Sequence, residues 1–431
     1  YPTLILRVLI VLLSVSLGIA QTSVLELHQE EARHTDSLAA YVKRLPFLPP
    51  GYQWQNVQEA VRDVRRERIA KKRAESIQAD VRGGAWFEMG STNQAGRVVC
   101  TAFDSVTNRV WVASAGGTVW EGNIDGTAWK CINENQRIKN PRHLRYVQLT
   151  NGIDRIIAAG EDGRVWFRDG QGDWKESEGI GDTFRNGRVV KAVSAVRNGR
   201  LHVYVTGIDN VQRGGQRNVV CYESADSGLT YHRILKSQTF PGVTDLWTDG
   251  YDIVYLLVGE YIYSVGQASE TVLVTSLPVT FSQQQGYLSM NKAGELHIVQ
   301  DVDPAYLFRL DKAKRWAQVA AVGGPPAGNR SLWMPRTEDG VILLGELVLK
   351  ISVDNGLTFE PLNLMDEYHA DPESKLHAFI PTIESYLLKD GREVVFICTA
   401  GGLYVSFDNG RTVKNISLSG LNISQYYSVY T

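Results

Sequence analysis

The sequence predicts an all-β fold built from seven repeated units. Alternating apolar runs recur from residue 97 onward, with glycine, asparagine or aspartate turns between them. Four of them, "RVVCTAF", "RVWVAS", "GTVWEG" and "AWKCI", lie between residues 97 and 132, and the series returns from about residues 143, 186, 243, 285, 331 and 377. A period of about 35–55 residues with four strands per unit is typical of a β-propeller. We therefore predict a seven-bladed β-propeller over residues 85–431, preceded by a signal peptide and a short helical segment.

Composition agrees with this fold class and does not favour a nucleic-acid partner. The chain has 431 residues, of which 40 are glycine and 10% are aromatic, which suits a turn-rich all-β protein. A chain of this length is too long for one ordinary compact core, but a radially repeated β-fold can have this size. The formal net charge is only −2, so composition gives no reason to expect a nucleic-acid partner.

Residues 1–20 are predicted to be a signal peptide. Arg7 supplies a positive charge, the apolar stretch 8–17 follows, and small residues precede a cleavage site between Ala20 and Gln21. The apolar stretch is shorter than the roughly 20 residues of a transmembrane helix. We therefore expect secretion to the cell surface or the extracellular space and no membrane span in the mature protein; an uncleaved anchor is the alternative.

Residues 21–84 are predicted to form a helical, charged lead-in segment. A first helical pattern is interrupted by "PFLPPG" at 46–51, and a longer one covers 56–82. The longer pattern carries eight Lys or Arg against five Asp or Glu and only a short apolar stripe. A solvated lead-in is the favoured interpretation, and binding to an anionic surface is the alternative.

Three similar octapeptides provide the strongest motif. "SADSGLTY" occupies 224–231, "SVDNGLTF" 352–359 and "SFDNGRTV" 406–413, each between the third and fourth strands of its unit. Serine and aspartate side chains can accept backbone N–H groups within a turn, and glycine can adopt positive φ there. Because a catalytic carboxylate has no reason to recur in this way, we predict a structural role. The residues concerned are Ser224, Asp226, Gly228, Thr230, Ser352, Asp354, Gly356, Thr358, Ser406, Asp408, Gly410 and Thr412.

These octapeptides resemble the Asp-box, or BNR, repeat of secreted β-propellers. Sialidases, xyloglucanases, sortilin-type receptors, photosystem assembly factors and many bacterial surface proteins share that repeat. The segments "WFEMGSTNQAGRVV" and "ASAGGTVW" resemble the first blade of large exported bacterial proteins with sortilin-type or YVTN-like propellers, although Ser91-Thr92 and Gln94-Ala95 replace the usual proline and glycine. The resemblance implies a secreted propeller but does not select one activity.

The motifs favour binding over catalysis. The sialidase arginine motif is absent, and "ASAGGTVW" stands where xyloglucanases have a conserved segment. The eight histidines show no metal-ligand spacing. Arg97 and Arg188 begin equivalent strands and are candidates for an anion site in the central channel; capping strand ends or pairing with nearby acids is the alternative.

We therefore predict a monomeric, non-catalytic binding or scaffold module for an extracellular glycan or protein. No catalytic residue, metal or cofactor is expected. The competing hypothesis is an extracellular glycoside hydrolase, xyloglucanase-like or sialidase-like, which would need two opposed carboxylates beside a cleft.

Two further expectations concern the cysteines and the end of the chain. Cys100, Cys131, Cys221 and Cys398 fit no zinc pattern and are expected to be free thiols. After the last octapeptide, "YYSVYT" alternates like a strand. It could begin a further blade of a natural chain truncated here, which we favour, or join the first blade and close the ring.

Overall fold

The computed structural model describes residues 95–134, 136, 138–180, 188–209, 217–239, 244–266, 269–277, 286–300, 304–323 and 331–423. All of them belong to one compact unit, and a second unit, Asp36–Gly90, lies outside the described residues. The predicted signal peptide, the helical lead-in segment and the pairing of residues 425–430 also lie outside them. Those three expectations therefore stay predictions.

Seven four-stranded antiparallel sheets form the seven blades, and in each sheet the strand order follows the chain. The predicted fold class, a seven-bladed β-propeller, is confirmed. Blade 1 contains β1 (Val98–Asp104), β2 (Arg109–Ser114), β3 (Val119–Asn123) and β4 (Lys130–Cys131). Blade 2 contains β5 (Pro141–Gln148), β6 (Asp154–Gly160), β7 (Val165–Asp169) and β8 (Lys175–Glu176). Blade 3 contains β9 (Arg188–Arg197), β10 (Arg200–Asp209), β11 (Arg217–Ser224) and β12 (His232–Thr239).

The remaining four blades repeat this arrangement. Blade 4 contains β13 (Thr244–Thr248), β14 (Val254–Val258), β15 (Tyr261–Val265) and β16 (Thr271–Ser276). Blade 5 contains β17 (Gly286–Met290), β18 (Leu296–Gln300), β19 (Ala305–Leu310) and β20 (Trp316–Gly323). Blade 6 contains β21 (Ser331–Trp333), β22 (Ile342–Gly345), β23 (Leu349–Ser352) and β24 (Glu360–Pro361). Blade 7 contains β25 (Thr382–Leu387), β26 (Glu393–Thr399), β27 (Gly402–Ser406) and β28 (Lys414–Asn415).

Burial changes along each blade from the axis to the rim, and this explains the composition of the strands. The second strand is covered on both faces by neighbouring blades, so it reads as a nearly continuous apolar run. In β26, "EVVFICT" is buried at every position. The fourth strand lies at the rim, and both residues of β8 and of β24 are exposed. Hydrophobic burial therefore concentrates between blades.

Seven hydrophobic clusters fill the seven seams between neighbouring blades. The seam between blades 7 and 1 shows that the ring is closed. There, Val98 and Phe103 of blade 1 pack with Phe396 and Val405 of blade 7. Next to this cluster, the Gly96 N–H donates to the Ile423 carbonyl at 2.7 Å. Since every seam buries apolar side chains, each blade is stabilised by both neighbours.

The connection between blades 6 and 7 contains a short helix, α1 (Met365–Ala370), with Asp366 and Glu367 in its first turn. Within the described residues, no helix has the length and apolarity that a membrane crossing requires. The four cysteines all lie in the described part of the chain and form no disulfide. Burial raises the pKa of the Cys100 and Cys221 thiols.

Candidate functional site

The first octapeptide forms a turn in which its own side chains satisfy the backbone. The Ser224 hydroxyl donates to Asp226 at 2.7 Å and accepts the Gly228 N–H at 2.9 Å. The Asp226 carboxylate accepts the Thr230 N–H at 2.9 Å and the Thr230 hydroxyl at 2.6 Å. This carboxylate is therefore occupied by its own loop.

The second and third octapeptides form the same contacts, with distances between 2.6 and 3.0 Å. The residues are Ser352, Asp354, Gly356 and Thr358 in blade 6 and Ser406, Asp408, Gly410 and Thr412 in blade 7. Hydrogen bonds from Thr358 and Ser352 lower the pKa of Asp354 to about 2. The three turns lie on separate blades and do not combine into one site. Their predicted role in stability stays a prediction, which the Asp226 variant described below tests.

The octapeptide glycines lie against the preceding blade. Gly228 has φ +89°, and a Cβ there would lie 2.8 Å from the Cδ1 of Ile157 in blade 2. A Cβ at Gly356 or Gly410 would approach a leucine methyl to 2.5 or 2.6 Å. The sequence indicated the need for positive φ. It contained no local signal for this contact between blades.

Three tryptophans just before or at the start of the fourth strands of blades 1, 2 and 5, in "GNIDGTAW", "RDGQGDW" and "LDKAKRW", also contact the preceding blade. The Trp129 indole N–H donates to the Ile416 carbonyl at 3.2 Å and thereby joins blade 1 to blade 7. Trp174 donates to Ile132 at 3.0 Å, and Trp316 donates to Ser276 at 2.9 Å. Each bond reaches the end of the preceding blade. The motif positions therefore hold blades together, and a binding site must be sought elsewhere.

The first strands of the blades surround the axis. They are β1, β5, β9, β13, β17, β21 and β25, and each contacts the first strand of the next blade around the ring. Side chains of these strands therefore meet at the central channel, although they are far apart in the sequence.

Arg97 and Arg188, the two predicted anion-site candidates, lie on blades 1 and 3, with blade 2 between them. Arg97 is only 7% exposed. Arg188 is half-buried within electrostatic reach of Glu161. Glu161 also accepts hydrogen bonds from Arg142 at 2.6 Å and from Asn140 at 2.8 Å. Burial acts to raise the pKa of Glu161, but these partners outweigh it and lower the pKa. For Arg188, pairing with a nearby acid is thus the better-supported alternative.

At the channel, four charged side chains that the sequence did not single out come together. They are Glu384 of blade 7, Arg145 of blade 2, Lys191 of blade 3 and Asp245 of blade 4. Arg145 and Lys191 both lie within electrostatic reach of Glu384. Residues of blades 7, 2 and 3 can approach one another in this way only across the channel. We call these four residues the channel cluster.

Both acids of the channel cluster bind the backbone of the following blade. Glu384 accepts the Thr101 N–H at 2.9 Å and the Thr101 hydroxyl at 2.6 Å. Asp245, which is 3% exposed, accepts the Leu288 N–H at 2.7 Å and pairs with Lys191 at 3.1 Å. The inner edge of a first strand has no neighbouring strand, so its N–H groups need such acceptors.

Burial dominates the electrostatics of the cluster. It raises the pKa of Glu384 to about 7, against the opposing effects of the Thr101 hydrogen bonds, Lys191 and Arg145. It also raises the pKa of Asp245. Burial, together with Arg145 and Lys191, lowers the pKa of the nearby His143 to about 3, so that imidazole is neutral. At neutral pH, Glu384 is therefore only partly ionised.

β-Bulges mark the side of the channel that carries the cations. The pairing of first and second strands shifts between Val98 and Cys100 in blade 1 and between Pro141 and His143 in blade 2. In blade 3 the shift falls opposite Thr206, and in the other four blades the pairing is regular. Bulges change the direction of side chains and occur often beside functional sites.

Three buried side-chain nitrogens on β5 lack hydrogen-bond partners among the described residues: Nε of Arg142, Nε2 of His143 and Nε of Arg145. Buried polar atoms are usually satisfied, so a group of three on one strand requires an explanation. Across the described ranges, no group of three or more His, Cys, Asp or Glu side chains is arranged to hold a metal ion. The channel can therefore offer hydrogen-bond donors and positive charge.

The fold defines the chain as a seven-bladed β-propeller, and known proteins show similarity at this level. No protein-family model matches the chain, and no curated protein matches it. Among solved structures, Sqt1 of Saccharomyces cerevisiae covers 76% of this chain and 97% of its own, with 8% identity and a TM-score of 0.46. YCF48 of Cyanidioschyzon merolae covers 75% and 96%, with 11% identity and a TM-score of 0.45. The Dos1 propeller covers 79% and 95%, with 10% identity and a TM-score of 0.48.

Proposed function

We propose that this chain is a secreted or cell-surface propeller that acts as a non-catalytic binding or scaffold module for an extracellular glycan or protein. One observation supports this proposal most directly. The channel carboxylates, Glu384 and Asp245, both accept backbone N–H groups of the next blade. These are the acids whose environments would suit acid–base chemistry, and both are engaged in holding the ring.

The octapeptide carboxylates are also occupied. Asp226, Asp354 and Asp408 each accept hydrogen bonds from the threonine of their own turn. An inverting glycosidase needs one carboxylic acid and one carboxylate free to act on substrate and water. The engaged acids therefore favour a binding role over a hydrolase. Secretion is supported by the charge, the apolar run and the small residues of positions 1–20.

Two experiments test the proposal. The full-length chain should be expressed with its leader, and the N-terminus of the exported product should be sequenced. We expect it to begin at Gln21; retention in the cell with residues 1–20 intact would contradict secretion.

The exported protein should then be applied to glycan and peptide arrays and assayed in parallel for release of reducing sugars from polysaccharides. We expect saturable binding to one array and no hydrolysis. Hydrolysis that disappears in Glu384→Gln or Asp245→Asn would instead establish the glycoside hydrolase.

A further inference from the structure

Buried, unpartnered side-chain nitrogens of blade 2 point to a ligand in the channel, and the two arginine Nε–H groups among them can only donate. Nε of Arg145, Nε of Arg142 and Nε2 of His143 are all inaccessible to solvent and have no hydrogen-bond partner within the described residues. His143 is only 8% exposed. An unsatisfied buried donor costs about 1–3 kcal/mol. A native site that carries several such donors is expected to gain their partner from outside the chain.

Charge in the same space identifies the ligand as an anion. Arg145 contributes one positive charge, and no carboxylate of the described residues forms an ion pair with it. The charge of Lys191 is matched by Asp245 at 3.1 Å. Glu384 is the remaining acid, and its Oε2 is already held by Thr101. The cluster thus has a small positive excess rather than a large one.

The small positive charge of the cluster favours a monoanion over a dianion. A dianion would bring more negative charge than Arg145 can balance, next to the partly ionised Glu384. A carboxylate brings one charge, and its two oxygens match the fork of N–H donors of a guanidinium. The neutral form of Glu384 can also donate its proton to a carboxylate oxygen, which it cannot do when ionised.

We propose that the central channel contains a carboxylate-binding site in which Arg145 makes the principal contact with the bound carboxylate and Lys191, His143 and Glu384 line the site around it. The inference extends the proposed binding function by naming the chemistry that the channel recognises. The carboxylate could belong to a free organic acid or to an acidic side chain of a protein partner, and the experiment below distinguishes these sources.

The binding should depend on pH through Glu384. The groups that face this carboxyl are Thr101 and Cys100 from β1, Arg145 from β5, Lys191 from β9, Cys398 from β26 and Tyr386 from its own strand. Burial raises the pKa of Glu384 to about 7, so this carboxyl changes charge between pH 6 and 8. Its ionisation adds a negative charge beside the site, so a carboxylate should bind more tightly at pH 6 than at pH 8.

The test measures binding of acetate, sulfate and a blocked tetraglutamate peptide to the full chain by calorimetry, with the tetraglutamine peptide as control. We expect acetate to bind, sulfate to bind more weakly, and Arg145→Gln to weaken acetate binding about 10- to 100-fold, as loss of a charged hydrogen bond would. The matched control is Arg233→Gln, which removes an exposed arginine from β12 and should change nothing. Its four carboxylates alone make tetraglutamate bind about fourfold tighter than acetate. A larger difference would assign the site to a protein partner, and a difference of about fourfold or less would assign it to a free acid.

Two further variants keep the test decisive. If Arg145→Gln fails to fold, Arg145→Lys keeps the charge but loses the fork, and it should still weaken acetate binding. Glu384→Gln should bind acetate equally at pH 6 and pH 8. The inference is overturned if acetate does not bind to the folded wild type, if sulfate binds as tightly, or if the Arg145 variants bind like wild type. If the protein binds a partner on the arrays and neither acetate nor Arg145→Gln changes that binding, this inference is rejected and the proposed function is retained. If the protein binds acetate but no partner on the arrays, this inference is retained and the proposed function is rejected.

Discussion

Replacing Glu384 with glutamine should stabilise the folded protein at pH 8 and leave its stability at pH 4 almost unchanged. The glutamine amide oxygen can still accept the Thr101 N–H and hydroxyl that Glu384 accepts at 2.9 and 2.6 Å. What the substitution removes is the ionisation of a carboxyl inside the channel. Its effect should therefore appear only where the wild-type residue is charged.

The magnitude follows from the pKa. Burial raises the pKa of Glu384 from 4.5 to about 7. The folded state therefore binds a proton more tightly than the unfolded state, and the stabilisation is fully present below about pH 4.5 and lost as the pH rises through about 7. At about 1.4 kcal/mol per pH unit, the loss is at most about 3 kcal/mol by pH 8. Glutamine, which stays neutral, avoids this loss.

Urea unfolding at pH 4, 5, 6, 7 and 8 measures the effect. The difference in free energy of unfolding between Glu384→Gln and wild type should grow from near zero to at most about 3 kcal/mol across this range. The control Glu384→Ala removes the acceptor of Thr101 and should destabilise the protein at every pH. Parallel curves for wild type and Glu384→Gln would show that Glu384 does not ionise in a buried environment, and the reasoning would fail.

Three other predictions concern the seams, the turns and the thiols. Gly228→Ala should lower the free energy of unfolding by about 2–4 kcal/mol, because the alanine would stand at positive φ and its Cβ would clash with Ile157. The control Gly152→Ala, at φ +80° with no atom within 4 Å, should lower it by only about 1–2 kcal/mol. Equal losses for the two variants would contradict the contact at the seam. Asp226→Ala should cost about 1–2 kcal/mol in urea unfolding without changing ligand binding by the folded protein, and lost binding at unchanged stability would reverse the structural assignment. Thiol titration of the denatured, unreduced chain should find all four cysteines free, and a count of two would show that a disulfide forms.

The repeat was readable from the sequence because its signals are local. Apolar alternation and turn residues recur within each unit, so the predicted unit starts near 143, 186, 243 and 285 lie within a few residues of the strands that begin at Pro141, Arg188, Thr244 and Gly286. Turn chemistry is local as well. The serine, aspartate and threonine of each octapeptide contact one another within four positions.

The channel cluster could not be read in this way, because its members are joined only through the closed ring. Thr101 and Glu384 are separated by 283 positions. Arg97 and Arg188 can be singled out from the sequence because both stand in the same short pattern, "GRVV", at the start of a first strand. The two cations that face Glu384 are Arg145 and Lys191, and neither stands in a recognisable motif. Arg145 lies three positions after Arg142 in β5, and Lys191 lies three positions after Arg188 in β9.

Residues that hold the ring together recur from blade to blade, whereas residues available for ligand recognition do not. Seam glycines and tryptophans recur from blade to blade, since every seam presents the same packing problem. Arg145 has no such reason to recur. Glu384 belongs to both groups, because it accepts the Thr101 N–H at the seam between blades 7 and 1 and also faces Arg145. A carboxylate that binds beside Arg145 favours the neutral form of Glu384, which is also the form that burial favours. By thermodynamic reciprocity, such a ligand should raise the pKa of Glu384 further and stabilise the ring more at pH 6 than at pH 8.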